Sequence, residues 1–218
     1  MVSPLAQAKF DVGNWLRNGE QALLNVLFPL AALAGSTQLN LPAAERAALI
    51  VLFSLGASSF TSVAIATAFD RRAGALKVYG ISPLGRRGFV QARVLASLAI
   101  SALQIFVVTG LALIAKIDFA LTPILLATAG LSTVAWISIA LILASLLRAE
   151  AVLAVANLLF IASTALIWMV HTDLSSLSFA TPMSCAFAAS QGSASALIGL
   201  SVWSITSLAA AIKTFRWE

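Results

Sequence analysis

Six stretches without a formal charge, 21–44, 47–69, 94–115, 119–147, 151–170 and 174–212, constrain this chain more than any other feature. A charge at the centre of a membrane helix costs about 2.5–3.5 kcal/mol, so runs of this kind mark segments able to lie in hydrocarbon. Crossing a ~30 Å apolar layer takes about 20 helical residues, and every run is long enough. None shows the strict alternation of a barrel strand, so helices are the expected form. Composition agrees: 61% of the 218 residues are hydrophobic and 10% charged, whereas about a quarter of a soluble domain is charged.

The expected fold class is an all-α integral membrane protein, with the whole chain, 1–218, as one domain. Its six spans fall at about 21–38, 47–69, 94–115, 120–147, 151–171 and 193–212. "GSTQLNLPAAER" reads as an external turn after the first span. The last charge-free interval is too long for a single helix. Breaks at Thr181-Pro182 and Gln191-Gly192 divide it into an external or re-entrant segment, 173–192, and the sixth span.

Six spans put both termini on one side, and the basic residues identify that side. Lys9, Arg17, Arg71, Arg72, Lys77, Arg86, Arg87, Arg93, Arg148, Lys213 and Arg216 share it, eleven of the thirteen, leaving Arg46 and Lys116 opposite. Cationic loops stay cytoplasmic, so both termini and the loop 70–93 are expected in the cytosol. The net charge of +5 therefore reports topology and implies no nucleic-acid partner. A lone Cys185 and a lone His171 make no zinc set and no internal disulfide. His171 and Asp173 read as a polar loop.

The leader "MVSPLAQAKFDVGNWLRNGE" carries polar residues throughout and does not read as a cleavable signal. Leu5, Ala8, Val12, Trp15 and Leu16 share one helical face, which predicts an amphipathic helix over 4–19 lying in the membrane interface. Trp15 and Arg17 would anchor it at headgroup depth. In "FDRRAGALKVYGISPLGRRGF", Gly80 suits a helix end, and Ser82-Pro83 suits a cap and first helical residue. The loop is thus expected to hold a short helix over about 70–79, a break, and a helix feeding the third span.

This stretch resembles the permease subunits of type-2 ABC exporters. Those chains have six spans, an interfacial first helix, and an acidic-basic cluster followed by "G-x-L-K/R-x-L-x-x-x-P-L-x-R". Asp70, Arg71, Gly74, Leu76, Lys77, Pro83, Leu84, Arg86 and Arg93 stand in the matching places, with Tyr79 where leucine is more usual. The resemblance implies an ATP-driven exporter in a bacterial cell membrane, moving an apolar or amphipathic substrate outward. It implies a separate ATPase subunit holding ATP and magnesium, and a second permease, identical or homologous. The loop would couple to that ATPase through Asp70, Arg71, Arg72, Lys77, Arg86 and Arg87, with Leu76 and Tyr79 buried at the contact and Arg148 and Glu150 as a smaller one.

The chain has no phosphate-binding loop of its own, since no lysine follows a glycine, and no cofactor is expected on it. No ionisable residue lies inside a span, which argues against ion-coupled transport and intramembrane hydrolysis. Phe28, Phe53, Phe60, Phe106, Trp136, Phe160, Trp168 and Trp203 are the candidates for an apolar substrate path. A scaffold or sensor subunit of permease-like fold is the alternative reading. Small residues in "LGASSFTSVAIA" and "SASALIGLSVWS" predict close helix packing.

Overall fold

Capping chemistry starts four of the helices. Ser3 Oγ accepts from Ala6 N–H (3.2 Å) and Pro4 opens α1, Pro4–Arg17; Thr122 accepts from Leu125 N–H (3.1 Å) and Pro123 opens α7, Pro123–Leu146. Thr181 and Ser184 form a reciprocal capping box at α9, Pro182–Ser190, and Ser193 caps α10, Ala194–Thr214. Each hydroxyl satisfies an amide that the first helical turn leaves unbonded. The remaining helices are α2, Gly19–Ser36; α3, Ala43–Gly56; α4, Val63–Arg72; α5, Ala75–Gly80; α6, Gly85–Ile114; and α8, Ala149–His171. The computed structural model describes residues 3–38, 40–171 and 175–217, with side chains at 3–19, 26–38, 40–167 and 177–217, and its elements are helical throughout.

Among the described residues, five helices are long and apolar enough to cross a membrane: the continuous rod Ala43–Arg72, then Gly85–Ile114, Pro123–Leu146, Ala149–Ile167 and Ala194–Thr214. The apolar part of α2, Val26–Ser36, is shorter. Leu33 of α2 packs with Val108 and Ala112 near the C-terminal end of α6, while Ala8 of α1 packs with Ala92 and Ala96 near its start.

The rod from 43 to 72 widens at Ala57–Ser62 into a π-helical turn. A π turn disturbs the regular carbonyl ladder, and hydroxyls can take up the loosened groups without water. Ser59 donates to Leu55 O (2.5 Å), and Ser58 donates to Gln104 Oε1 on α6 (2.8 Å). The serines expected only to permit close packing therefore serve the backbone as well. On the same turn, Phe60 is fully buried with its ring centroid 4.4 Å from that of Trp136 on α7, the centre of the main core.

The two ends of the bundle differ in chemistry. At one end Arg46 donates to Asp118 O and Leu41 O, both at 3.1 Å, joining two short loops. The other end collects α1, α5, the α7–α8 loop and the end of α10, with most of the chain's charge.

Two expectations change here. The short helix of the 70–93 loop spans 75–80, because Gly74 takes φ +77° and separates it from α4. Ser82-Pro83 does not start α6, which begins at Gly85. Ser82 Oγ instead donates to Tyr79 O (2.7 Å), and the turn folds inward to bury Leu84 against Gly88. The segment 173–192, left open as external or re-entrant, contributes α9, which is buried among α3, α7, α8 and α10.

Phe60→Ala leaves the Trp136 indole facing a void, and is expected to lower stability by about 3–5 kcal/mol in detergent unfolding. Phe106→Ala, at a ring 77% exposed, is expected to change it by less than about 0.5 kcal/mol.

Candidate functional site

Four arginines at the charged end are engaged within the chain. Arg71 donates to Ser145 O and to Leu147 O (2.6 Å), where α7 ends in carbonyls without intrahelical partners. A guanidinium suits that position by hydrogen bonding and by countering the negative end of the helix dipole. Arg86 does the same for α10 by donating to Lys213 O (2.8 Å). Arg72 pairs with Glu150, joining the end of α4 to the start of α8; both side chains are well exposed, so the pair is worth little by itself. Arg93 lies 3.6 Å from Asp11 on α1 and 3.6 Å from Asp70 on α4, with its guanidinium over the Phe89 ring.

Leu76 and Tyr79, expected at a partner contact, face inward. Leu76 is fully buried with Leu84, Phe89 and Phe215, and Tyr79 is half-buried 5.3 Å from the Phe89 ring. The elbow α5–α6 instead presents Val78 (66% exposed) and Ile81 (88% exposed) to the outside. Lys77, Pro83, Arg87 and Arg148 are exposed beside them or on the α7–α8 loop.

Underneath, the elbow rests on residues that sequence reasoning missed. Phe215 and Trp217, after α10, join Phe89 in an aromatic cluster with ring centroids 5.1–5.2 Å apart. Trp217 lies so close to Gly80 that a Cβ there would meet the indole at 3.3 Å. The short aromatic sequence "FRW" was the available signal, an apolar pair following a charged helix end.

The interfacial helix packs through parts of both faces: Ala8 of the expected apolar stripe is buried, while Leu5 and Leu16 of that stripe remain outward. Leu5, Phe10 and Leu16 are exposed, whereas Gln7, Ala8 and Asp11 are buried against α6. Gln7 Nε2 donates to Asp11 Oδ1 (2.9 Å) and approaches the Tyr79 hydroxyl (3.4 Å). Trp15 is half-buried and Arg17 exposed in the last turn of α1. Burial raises the Asp11 carboxyl above its ordinary range; Arg93 and the Gln7 hydrogen bond oppose the rise, and Asp70 adds to it.

Three of the aromatic candidates line a second feature, an apolar groove between α2, the α3–α4 rod and α8. It consists of two adjoining hollows of about 690 and 500 Å³ that share Phe28, Phe53 and Thr164. Phe53 stands 6.3 Å from Phe28 and 5.2 Å from Phe160, ring to ring. Its polar lining includes Asn157, Thr61, Ser62 and Thr164, and Thr61 Oγ1 is buried without a hydrogen bond. Phe60 and Trp136 belong to the core instead, and Phe106 projects from α6. Trp203 donates to Phe179 O (3.2 Å). Trp168, His171 and Asp173 lie outside the described side chains. Among the described residues no cluster of metal-ligating side chains occurs.

No protein-family model matches this chain, and no curated protein matches it.

Gly80→Val is expected to push Trp217 off Phe89 and to expose the elbow to limited proteolysis, with Trp217→Ala giving the same cleavage and Val78→Ala none. A second outcome follows from Asp11. The folded chain holds its proton more tightly than the unfolded one, so this group's contribution to stability falls as pH rises from the ordinary carboxylate range through the raised value. Thermal unfolding between about pH 4 and 7 should show that slope, and Asp11→Asn should flatten it.

Proposed function

We propose that this chain is the membrane-spanning permease subunit of an ATP-driven exporter of the type-2 ABC class. The observation that carries the reading is the braced elbow: a short helix held from beneath by the C-terminal aromatics, with apolar and cationic side chains left at its tip. A coupling element has to be stiff, since a soft one would absorb the motion of a motor subunit instead of passing it on. Val78, Ile81, Pro83, Lys77 and Arg87 form the docking tip, with Arg148 alongside. Arg71, Arg72, Arg86, Arg93 and Asp70 act one step back, locking the elbow to α1, α7, α8 and α10.

In this reading α2 is a sixth span, running from the end of α1 to the far end of α6, and both termini face the cytosol of a bacterial cell. The eleven-to-two division of basic residues supports that orientation. The ATPase, with its ATP and magnesium, is a separate polypeptide, and a second permease, identical or homologous, completes the pair. An apolar or amphipathic substrate enters the groove lined by Phe28, Phe53 and Phe160, where contact area supplies affinity and Asn157 and Thr61 supply direction. The segment containing α9 is re-entrant, dipping between the spans and returning to the external side.

Gentle extraction of the tagged chain from its native membrane is expected to recover a nucleotide-hydrolysing subunit. Ile81→Glu combined with Arg87→Glu should reduce that recovery about tenfold or more while membrane insertion is kept. Retention of the ATPase by this variant, or recovery of none by the unaltered chain, would overturn the reading. ATP turnover indifferent to every apolar compound tried would favour the sensor-subunit alternative.

A further inference from the structure

Between α1 and the rod lies a polar cavity of about 350 Å³ that neither the elbow nor the groove accounts for. Its wall carries Asp11, Asp70 and one cation, Arg93, with the Asn14 amide, the Trp15 ring and, from the π turn, Ser59. At ~30 Å³ per water it has room for about a dozen water-sized groups.

Charge, hydrogen bonding and geometry together define what would fit. Arg93 balances one carboxylate and leaves the excess of the other. Asp11 is 8% exposed, yet its Oδ2 has no hydrogen bond, and neither does the facing Arg93 Nε, 3.6 Å away. A buried acceptor without a donor is unfavourable, and more so when it is charged. Arg93 leaves that oxygen short of a hydrogen bond, and a second donor, a cationic N–H, would supply one and offset the excess carboxylate. A metal ion is a poor match, because Arg93 sits between the two carboxylates and keeps them from closing on one centre.

We propose that this cavity binds a primary ammonium group, with Asp11 as its buried counter-ion. The three N–H donors of such a group match Asp11 Oδ2 and neighbouring hydroxyl and amide oxygens, while its methylenes lie against Trp15. A soluble amine and the headgroup of an aminophospholipid share this chemistry. The raised Asp11 carboxyl is what an unfilled cation site should show. The site does not depend on any ATPase and goes beyond the permease reading.

The test uses the full-length protein in nanodiscs of phosphatidylcholine alone, titrated with ethanolamine and followed by thermal unfolding. Ethanolamine is expected to raise Tm saturably, and sodium chloride or choline at equal ionic strength is not. Asp11→Asn should weaken the effect about tenfold or more while its circular dichroism remains that of the folded helical chain. If that variant does not fold, Asp70→Asn is measured in its place and should weaken the effect in the same direction. Repeating the titration with phosphatidylethanolamine in the disc separates the sources. Loss of the response, with that lipid retained in native mass spectrometry, assigns the site to a headgroup; an unchanged response assigns it to a free amine. No shift beyond the salt control, a choline effect equal to that of ethanolamine, or an undiminished response in the folded Asp11→Asn or Asp70→Asn variant would overturn the proposal.

Discussion

Hydrocarbon supplies no hydrogen bonds, and every polar group within the membrane must find its partner inside the protein. That constraint organises this molecule. It clears formal charge from the spans, sends serine hydroxyls back to their own helix carbonyls, and drives the ionic contacts to the bundle's ends. At the charged end the same demand takes another form. Arg71 and Arg86 lie on the terminal carbonyls of α7 and α10, so two helix ends are sealed by side chains from the elbow region. The elbow is consequently part of the frame as well as an exposed projection.

Much of this architecture was legible in the sequence because charge exclusion is strong and local. Five helices long enough to span a membrane, where the intervals gave six spans, a helix within 4–19, and the break between α4 and α6 follow from intervals and turn residues. What sequence could not supply was direction. An amphipathic stripe states that a helix has two faces, and in a membrane either face can meet protein. Here α1 packs through Gln7, Ala8 and Asp11, with Asp11 beside Arg93, and leaves Leu5 and Leu16 outward.

The segment 70–93 was legible in the sequence as a basic turn between two long helices, but the partners of its residues were not. Its arginines look alike in sequence. Their roles depend on long-range partners: Ser145 and Leu147 for Arg71, Glu150 for Arg72, Lys213 for Arg86. Ser82-Pro83 forms a turn ahead of α6, with the Ser82 hydroxyl on Tyr79 O and Leu84 buried behind it. Among the aromatics, Phe53 and Phe60 lie seven residues apart, about two turns of a regular helix, yet one opens to the groove and the other to the core. The widened turn between them makes that difference.

That turn also stands between the polar cavity and the apolar groove, with Ser62 lining both. A π turn is an additional residue stored within a rod. Ser62 therefore borders a wet and an oily compartment at once, and a substitution there changes the lining of both.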